Sequence, residues 1–160
     1  MVIIVVAIDN SDSVITMSNC ESESKISCKL RCLDPAAVED AMKGLDSSGI
    51  ERVSYTCHLS GKEEELMLIG DRLAGQLAET VAEIKDVSNA KILVGLYSAE
   101  LCECDVATLT SLPECEVIHR LHTLASDGVL AHRQFHEMNY YRMVSATLRR
   151  YIEAVMNAAS

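Results

Sequence analysis

The arrangement of apolar residues along the chain predicts its strands. Residues 2–9 and 91–97 are nearly unbroken apolar runs, which is the pattern of strands buried on both faces. Residues 25–32 and 52–59 alternate between apolar and polar side chains, so each is expected to be a half-exposed strand. With a short strand at 14–17, the pattern predicts a sheet whose two central strands are fully buried.

Apolar residues spaced three and four apart predict the helices. Asp34 and Pro35 form a strong helix start, because Asp caps the first free N–H groups and Pro fits the first helical position. A further short strand is expected at 115–119. The predicted helices span residues 35–45, 62–86, 106–112 and 131–158.

The order of these elements predicts the fold class. An antiparallel β-meander comes first, and strands alternating with helices follow it. This order predicts an α/β fold of the α+β type, a mixed sheet in which helices cover both faces to give three layers. The length of 160 residues fits a single domain, 1–160.

The end of the first predicted strand carries the first candidate site. Residues 7–13 read Ala-Ile-Asp-Asn-Ser-Asp-Ser, an acid leaving the strand and then a polar turn. With the order of elements, this resembles the ribonuclease H-like fold and its actin-like relatives. The resemblance implies that Asp9 and Asp12 are catalytic, as ligands of Mg²⁺ or contacts to phosphate. In the structural alternative, both side chains cap turns by hydrogen bonding to the backbone.

Cysteine and histidine residues concentrate late in the chain and form the second candidate site. His132 and His136 lie four apart in the predicted C-terminal helix, so both imidazoles would face one ion. Cys102 and Cys104, or His119, would complete a tetrahedral zinc site. The alternative is that these histidines only occupy the exposed face of a helix.

The charge of the chain bears on its partners and its location. The formal net charge is −10, and residues 131–160 carry four arginines against two acids. An acidic body is expected to repel nucleic acid and anionic membranes, which favours a protein partner or self-association. No signal peptide or membrane-spanning run is visible, so a cytoplasmic location is expected.

Three functions are consistent with these patterns. The leading prediction is a small acidic protein-interaction or assembly module without its own catalysis, because no complete catalytic set or glycine-rich loop is visible. The first alternative is a divalent-metal-dependent phosphotransfer enzyme or nuclease that uses Asp9 and Asp12. The second alternative is a zinc-binding domain that uses the cysteines and histidines between residues 102 and 136.

Overall fold

The computed structural model of the chain describes residues 3–8, 11–16, 33–57, 59–135 and 137–159. The strands in these ranges are β1 (Ile3–Ile8), β2 (Ser11–Thr16), β3 (Ile50–Thr56), β4 (Glu63–Ile69), β5 (Leu101–Cys102), β6 (Leu130–Phe135) and β7 (Met138–Met143). The helices are α1 (Pro35–Gly44), α2 (Asp71–Thr80), α3 (Val87–Ser98), α4 (Glu103–Thr110), α5 (Glu114–Ser126) and α6 (Ala146–Ala159).

Helix α1 begins where the sequence predicts. The Asp34 carboxylate accepts a hydrogen bond from the N–H of Ala36 at 3.1 Å, and Pro35 occupies the first turn. Val38 is buried and attaches the helix to the core. Local capping chemistry is therefore sufficient to place this helix.

The strands form separate small sheets. In the described part of the chain every paired strand is antiparallel, in the pairs β1–β2 and β3–β4 and in a three-stranded sheet of order β5-β7-β6. The prediction of a mixed α/β protein is confirmed at this level. The ribonuclease H-like topology is not confirmed, since β1 pairs only with β2 among the described strands. The strand predicted at 25–32 lies outside the described residues.

The strand predicted at 91–97 is wrong, because these residues belong to α3. Five consecutive residues, 92–96, are buried, so α3 is covered by other elements all round. A helix covered all round is apolar at every position and cannot be told from a buried strand by its pattern. Asp86 caps the helix by accepting a hydrogen bond from the N–H of Asn89 at 2.8 Å.

The long helix predicted at 62–86 is two elements. β4 pairs with β3 and buries Leu66 and Leu68, while α2 begins only at Asp71. Gly70 lies between the two elements, where a Cβ atom would overlap the carbonyl oxygens of Asp46 and Ser47. Three glutamates precede the apolar residues of β4, and a helix follows them directly. The spacing of apolar residues across both elements therefore resembles that of a single helix.

The last part of the chain also differs from its prediction. Residues 115–119 are helical in α5, and the helix predicted at 131–158 is a β-hairpin, β6–β7, followed by α6. Tyr140 and Tyr141 are both buried, on opposite faces of β7. A strand buried on both faces lacks alternation, so its pattern does not distinguish it from a helix.

The core contains two apolar clusters. The larger cluster is centred on α3 and receives side chains from β4, α2, α5 and α6. The smaller cluster contains Cys102, Cys104 and Tyr140, where β5, α4 and β7 meet. None of the helices in the described ranges combines the length and the apolar character needed to cross a bilayer.

Candidate functional site

Two helices joined by a short turn form the first part of the candidate site. The turn, residues 111–113, connects α4 to α5. Ser111 adopts the left-handed conformation with φ 59°, and its N–H donates to the carbonyl of Ala107 at 2.9 Å. Pro113 directly precedes α5 and ends the turn. Helices joined by three residues have the spacing of a helix-turn-helix motif.

Helix α5 has one apolar face and one exposed face. Val117, Leu121 and Leu124 recur at intervals of four and three and are buried. His119 and His122 lie on the other side and are exposed. The core contacts therefore fix the helix so that two imidazoles point to solvent.

The hairpin β6–β7 follows α5 after a short turn and adds a second exposed element. His132 and Arg133 on β6 are exposed, and the positive φ of Glu137 (67°) helps to form the tip. Arg133 forms a two-pronged ion pair with Glu100, at 2.8 Å for both Nε–Oε2 and Nη2–Oε1. This pair connects the hairpin to the segment just before β5.

Two thiols and two carboxylates meet where β5 leads into α4. Cys102 Sγ donates to Asp105 Oδ2 at 3.3 Å, and Cys104 Sγ donates to Glu114 Oε1 at 3.4 Å. Both thiols are buried, and both are free. Interaction with the neighbouring Cys104 thiol, followed by burial and the charge of Asp105, raises the pKa of Cys102 far above its ordinary value. The thiol of Cys102 is therefore protonated in this arrangement at neutral pH.

The structure brings together only part of the predicted zinc site. Cys102 and Cys104 are neighbours, as the sequence predicts, whereas His119 is exposed on α5. His132 lies on β6 with its ring 5.6 Å from that of Tyr141, so the expected pair of histidines on one helix is wrong. His136 lies outside the described residues. Among the residues that the structure describes, no group of three or more potential ligands is arranged to hold an ion.

The predicted catalytic acids remain a prediction. Asp9 lies outside the described residues, and Asp12 belongs to β2, where its backbone is opposite Ala7. Residues 11–13 of the predicted polar turn belong to β2, which begins at Ser11.

Sequence reasoning missed the helix-turn-helix segment although a signal was present. Val117, Leu121 and Leu124 have helical spacing, and Pro113 marks a start one residue before Glu114. Assigning 115–119 to a strand concealed that pattern.

Comparison with known proteins finds a similar protein but no matching family. No protein-family model matches the chain. The chain is similar to a transcriptional repressor. That protein is the transcriptional repressor SmtB homolog of Synechocystis sp., and the two chains are 31% identical over 87 residues. The match takes in 48% of this chain and 66% of that protein, so it spans slightly less than two thirds of the relative's length.

This match corrects one prediction about partners. The expectation that charge disfavours nucleic acid is contradicted, because the similar protein is a repressor of transcription. The net charge of −10 belongs to the whole chain, whereas binding depends on the surface that faces the partner. Catalysis is not shown by this match, and the interaction or assembly module remains unconfirmed.

Proposed function

We propose that the chain is a DNA-binding transcriptional regulator in which α5 enters the major groove. The observation that carries the proposal is the α4-turn-α5 segment with its exposed helix face, together with the similarity to a repressor. In helix-turn-helix proteins the second helix lies in the major groove while the first crosses the backbone. His119 and His122 are then the side chains that approach base edges and phosphates.

The hairpin supports the same assignment. It emerges beside the C-terminal end of α5, so a duplex held against α5 would meet β6–β7 as well. Residues 131–160 carry four arginines against two acids, and two of these arginines, Arg133 and Arg142, lie in the hairpin. Positively charged side chains on such a segment position a protein on phosphates without reading sequence.

Selection from random-sequence duplexes tests this function. The purified full chain is expected to enrich a recurring sequence and to bind it saturably, with log K falling linearly as log salt concentration rises. Binding is measured by fluorescence anisotropy over a series of salt concentrations. A chain that enriches no sequence and shows no saturable binding to any duplex would refute the proposal.

A second function is favoured by the paired thiols. We propose that Cys102 and Cys104 bind a soft divalent cation such as Zn²⁺, for which thiolates are preferred ligands. Both thiols already contact carboxylates, Asp105 and Glu114, and the negative charge of these groups would help to balance the charge of the metal. The cation would replace the protons of both thiols. Because Cys104 and Asp105 lie in α4, the bound ion would act on the first helix of the proposed DNA-binding segment.

Zinc stoichiometry tests this second proposal. The wild-type chain, loaded with zinc and dialysed, is expected to retain the metal, and Cys102→Ser and Cys104→Ser are each expected to lose it. Cys57→Ser is the matched control, since Cys57 is also a buried free thiol but lies elsewhere. Metal content is measured by plasma emission. Equal zinc content in all four proteins, or no zinc in wild type, would contradict the proposal. In a further pair of variants, loss of zinc in His119→Ala or His132→Ala would add that histidine as a ligand.

A further inference from the structure

The arginine of α5 is turned toward the protein interior. Nη1 of Arg120 donates to both oxygens of Asp86, at 2.9 and 2.8 Å, and to Oδ1 of Asn89 at 2.9 Å. Its Nε and Nη2 donate to Oε1 of Glu116, at 3.2 and 3.0 Å. We refer to Arg120, Asp86, Asn89 and Glu116 as the Arg120 cluster. Its guanidinium is thus bound on two sides by protein groups.

The electrostatics of the Arg120 cluster favour the charged, paired state. Only 21% of the Arg120 side chain is exposed, and Asn89 is buried. Burial opposes the charge of Arg120, but the hydrogen bonds to Asp86 and Glu116 outweigh it and raise the pKa of the guanidinium. Burial likewise opposes the charge of Asp86, yet hydrogen bonds from Asn89 and Arg120 hold the pKa of that carboxyl below its ordinary value. Partly buried ion pairs joined by several charge-assisted hydrogen bonds hold their geometry better than exposed pairs.

The Arg120 cluster joins two helices that are remote in sequence. Asp86 is also the N-cap of α3 and accepts from the N–H of Asn89 at 2.8 Å. One carboxylate therefore caps the start of α3 and also holds the middle of α5. Since α3 is the central buried helix, the cluster fixes α5 relative to the core.

Helix α5 contains no other arginine and no lysine. We propose that Arg120 is a positioning residue for DNA binding, which fixes α5 against the start of α3 and makes no contact with DNA itself. This inference rests on the proposed function. Two carboxylates already neutralise the guanidinium, so a phosphate would have to displace one of them. The groups on α5 that face DNA are then the imidazoles.

The salt dependence of binding separates a positioning arginine from one that contacts phosphate. Arg120→Met keeps the length of the side chain and removes its hydrogen bonds. It is expected to weaken binding to the selected duplex by about tenfold, the size of one lost charge-assisted hydrogen bond. The slope of log K against log salt is expected to stay at the wild-type value, whereas loss of a phosphate contact would reduce it by about one. Arg72→Met, which replaces an exposed arginine on α2, is the control for loss of one positive charge outside the proposed DNA-binding surface.

Two further variants give readouts that a general loss of stability would not produce. Arg120→Lys keeps the charge but not the planar fork, so its affinity is expected to resemble that of Arg120→Met. Asp86→Asn keeps a good helix cap, and combined with Arg120→Met it is expected to weaken binding little beyond the single variant. All affinities are measured at a temperature where circular dichroism shows each variant to be folded.

The outcomes distinguish failure of this inference from failure of the proposed function. If wild type binds and Arg120→Met lowers the slope by about one, or if Arg120→Lys restores affinity, Arg120 contacts phosphate and the inference is overturned alone. Additive effects of Asp86→Asn and Arg120→Met would overturn it as well. A wild-type chain that binds no duplex overturns the proposed function and this inference together.

Discussion

Asp105→Ala is expected to lower the free energy of unfolding by about 3 kcal/mol, because it leaves a buried donor without a partner. Asp105 is fully buried in α4, and its Oδ1 accepts a hydrogen bond from the N–H of Leu33 at 3.1 Å. Its other oxygen accepts from Cys102 Sγ at 3.3 Å. Leu33 immediately precedes the cap of α1, so one carboxylate ties the start of α1 to the start of α4. Urea unfolding followed by circular dichroism measures the loss.

Asp105→Asn separates the contribution of the hydrogen bond to the free energy of unfolding from the contribution of the charge. The amide oxygen of asparagine still accepts from the N–H of Leu33, so we expect this variant to lose only about 1 kcal/mol. Asp40→Ala is the control, since Asp40 is an exposed acid on α1 and its loss should change the free energy of unfolding by less than about 0.5 kcal/mol. If Asp105→Ala unfolds at the same urea concentration as wild type, the assigned role of this carboxylate is wrong.

Elements set by local chemistry were predictable from the sequence. The start of α1 follows from Asp34 and Pro35 alone, and the strand predicted at 52–59 is present as β3, Ile50–Thr56. The short helix predicted at 106–112 is present as α4, Glu103–Thr110. In each case a cap, an alternation or a following proline lies within a few residues of the element it determines.

Elements set by burial on all sides were not predictable from periodicity. Residues 91–97 read as a buried strand because α3 is apolar around its whole circumference. Residues 131–143 read as helix because β7 buries Tyr140 in one cluster and Tyr141 in the other. When every face of an element is covered by protein, the contrast between apolar and polar positions disappears. The sequence then no longer shows whether the period is that of a helix or of a strand.

The candidate site depended on contacts that no local pattern contains. Cys102 and Cys104 were predictable as neighbours because they are close in sequence, but the contact of Cys104 with Glu114 requires the turn between α4 and α5. Arg120 and Asp86 are 34 residues apart, and their pairing depends on the tertiary structure that brings the middle of α5 next to the start of α3. The net charge misled the prediction about nucleic acid, because it averages over surfaces that face different ways.

Replacing both exposed histidines of α5 by glutamate is expected to weaken DNA binding by about a hundredfold, since like charges brought together cost several kcal/mol. His119 and His122 lie on the face of α5 that the core leaves open, and Arg120 between them is held by Asp86 and Glu116. His119→Glu with His122→Glu therefore puts two carboxylates where the proposed function places phosphates and base edges. Because neither side chain is part of the core, the midpoint of urea unfolding is expected to change little.

The matched control carries the same change in charge at another place. Gln76→Glu on α2 with Ala154→Glu on α6 alters two exposed positions outside the helix-turn-helix segment and is expected to bind the selected duplex within about threefold of wild type. Because net charge falls by two in both double variants, a difference between them measures the surface that faces DNA. Equal affinities would mean that α5 does not approach the duplex. A large loss of affinity in both double variants would mean that net charge alone explains the effect. This result would contradict the assignment of α5 as the helix that contacts DNA.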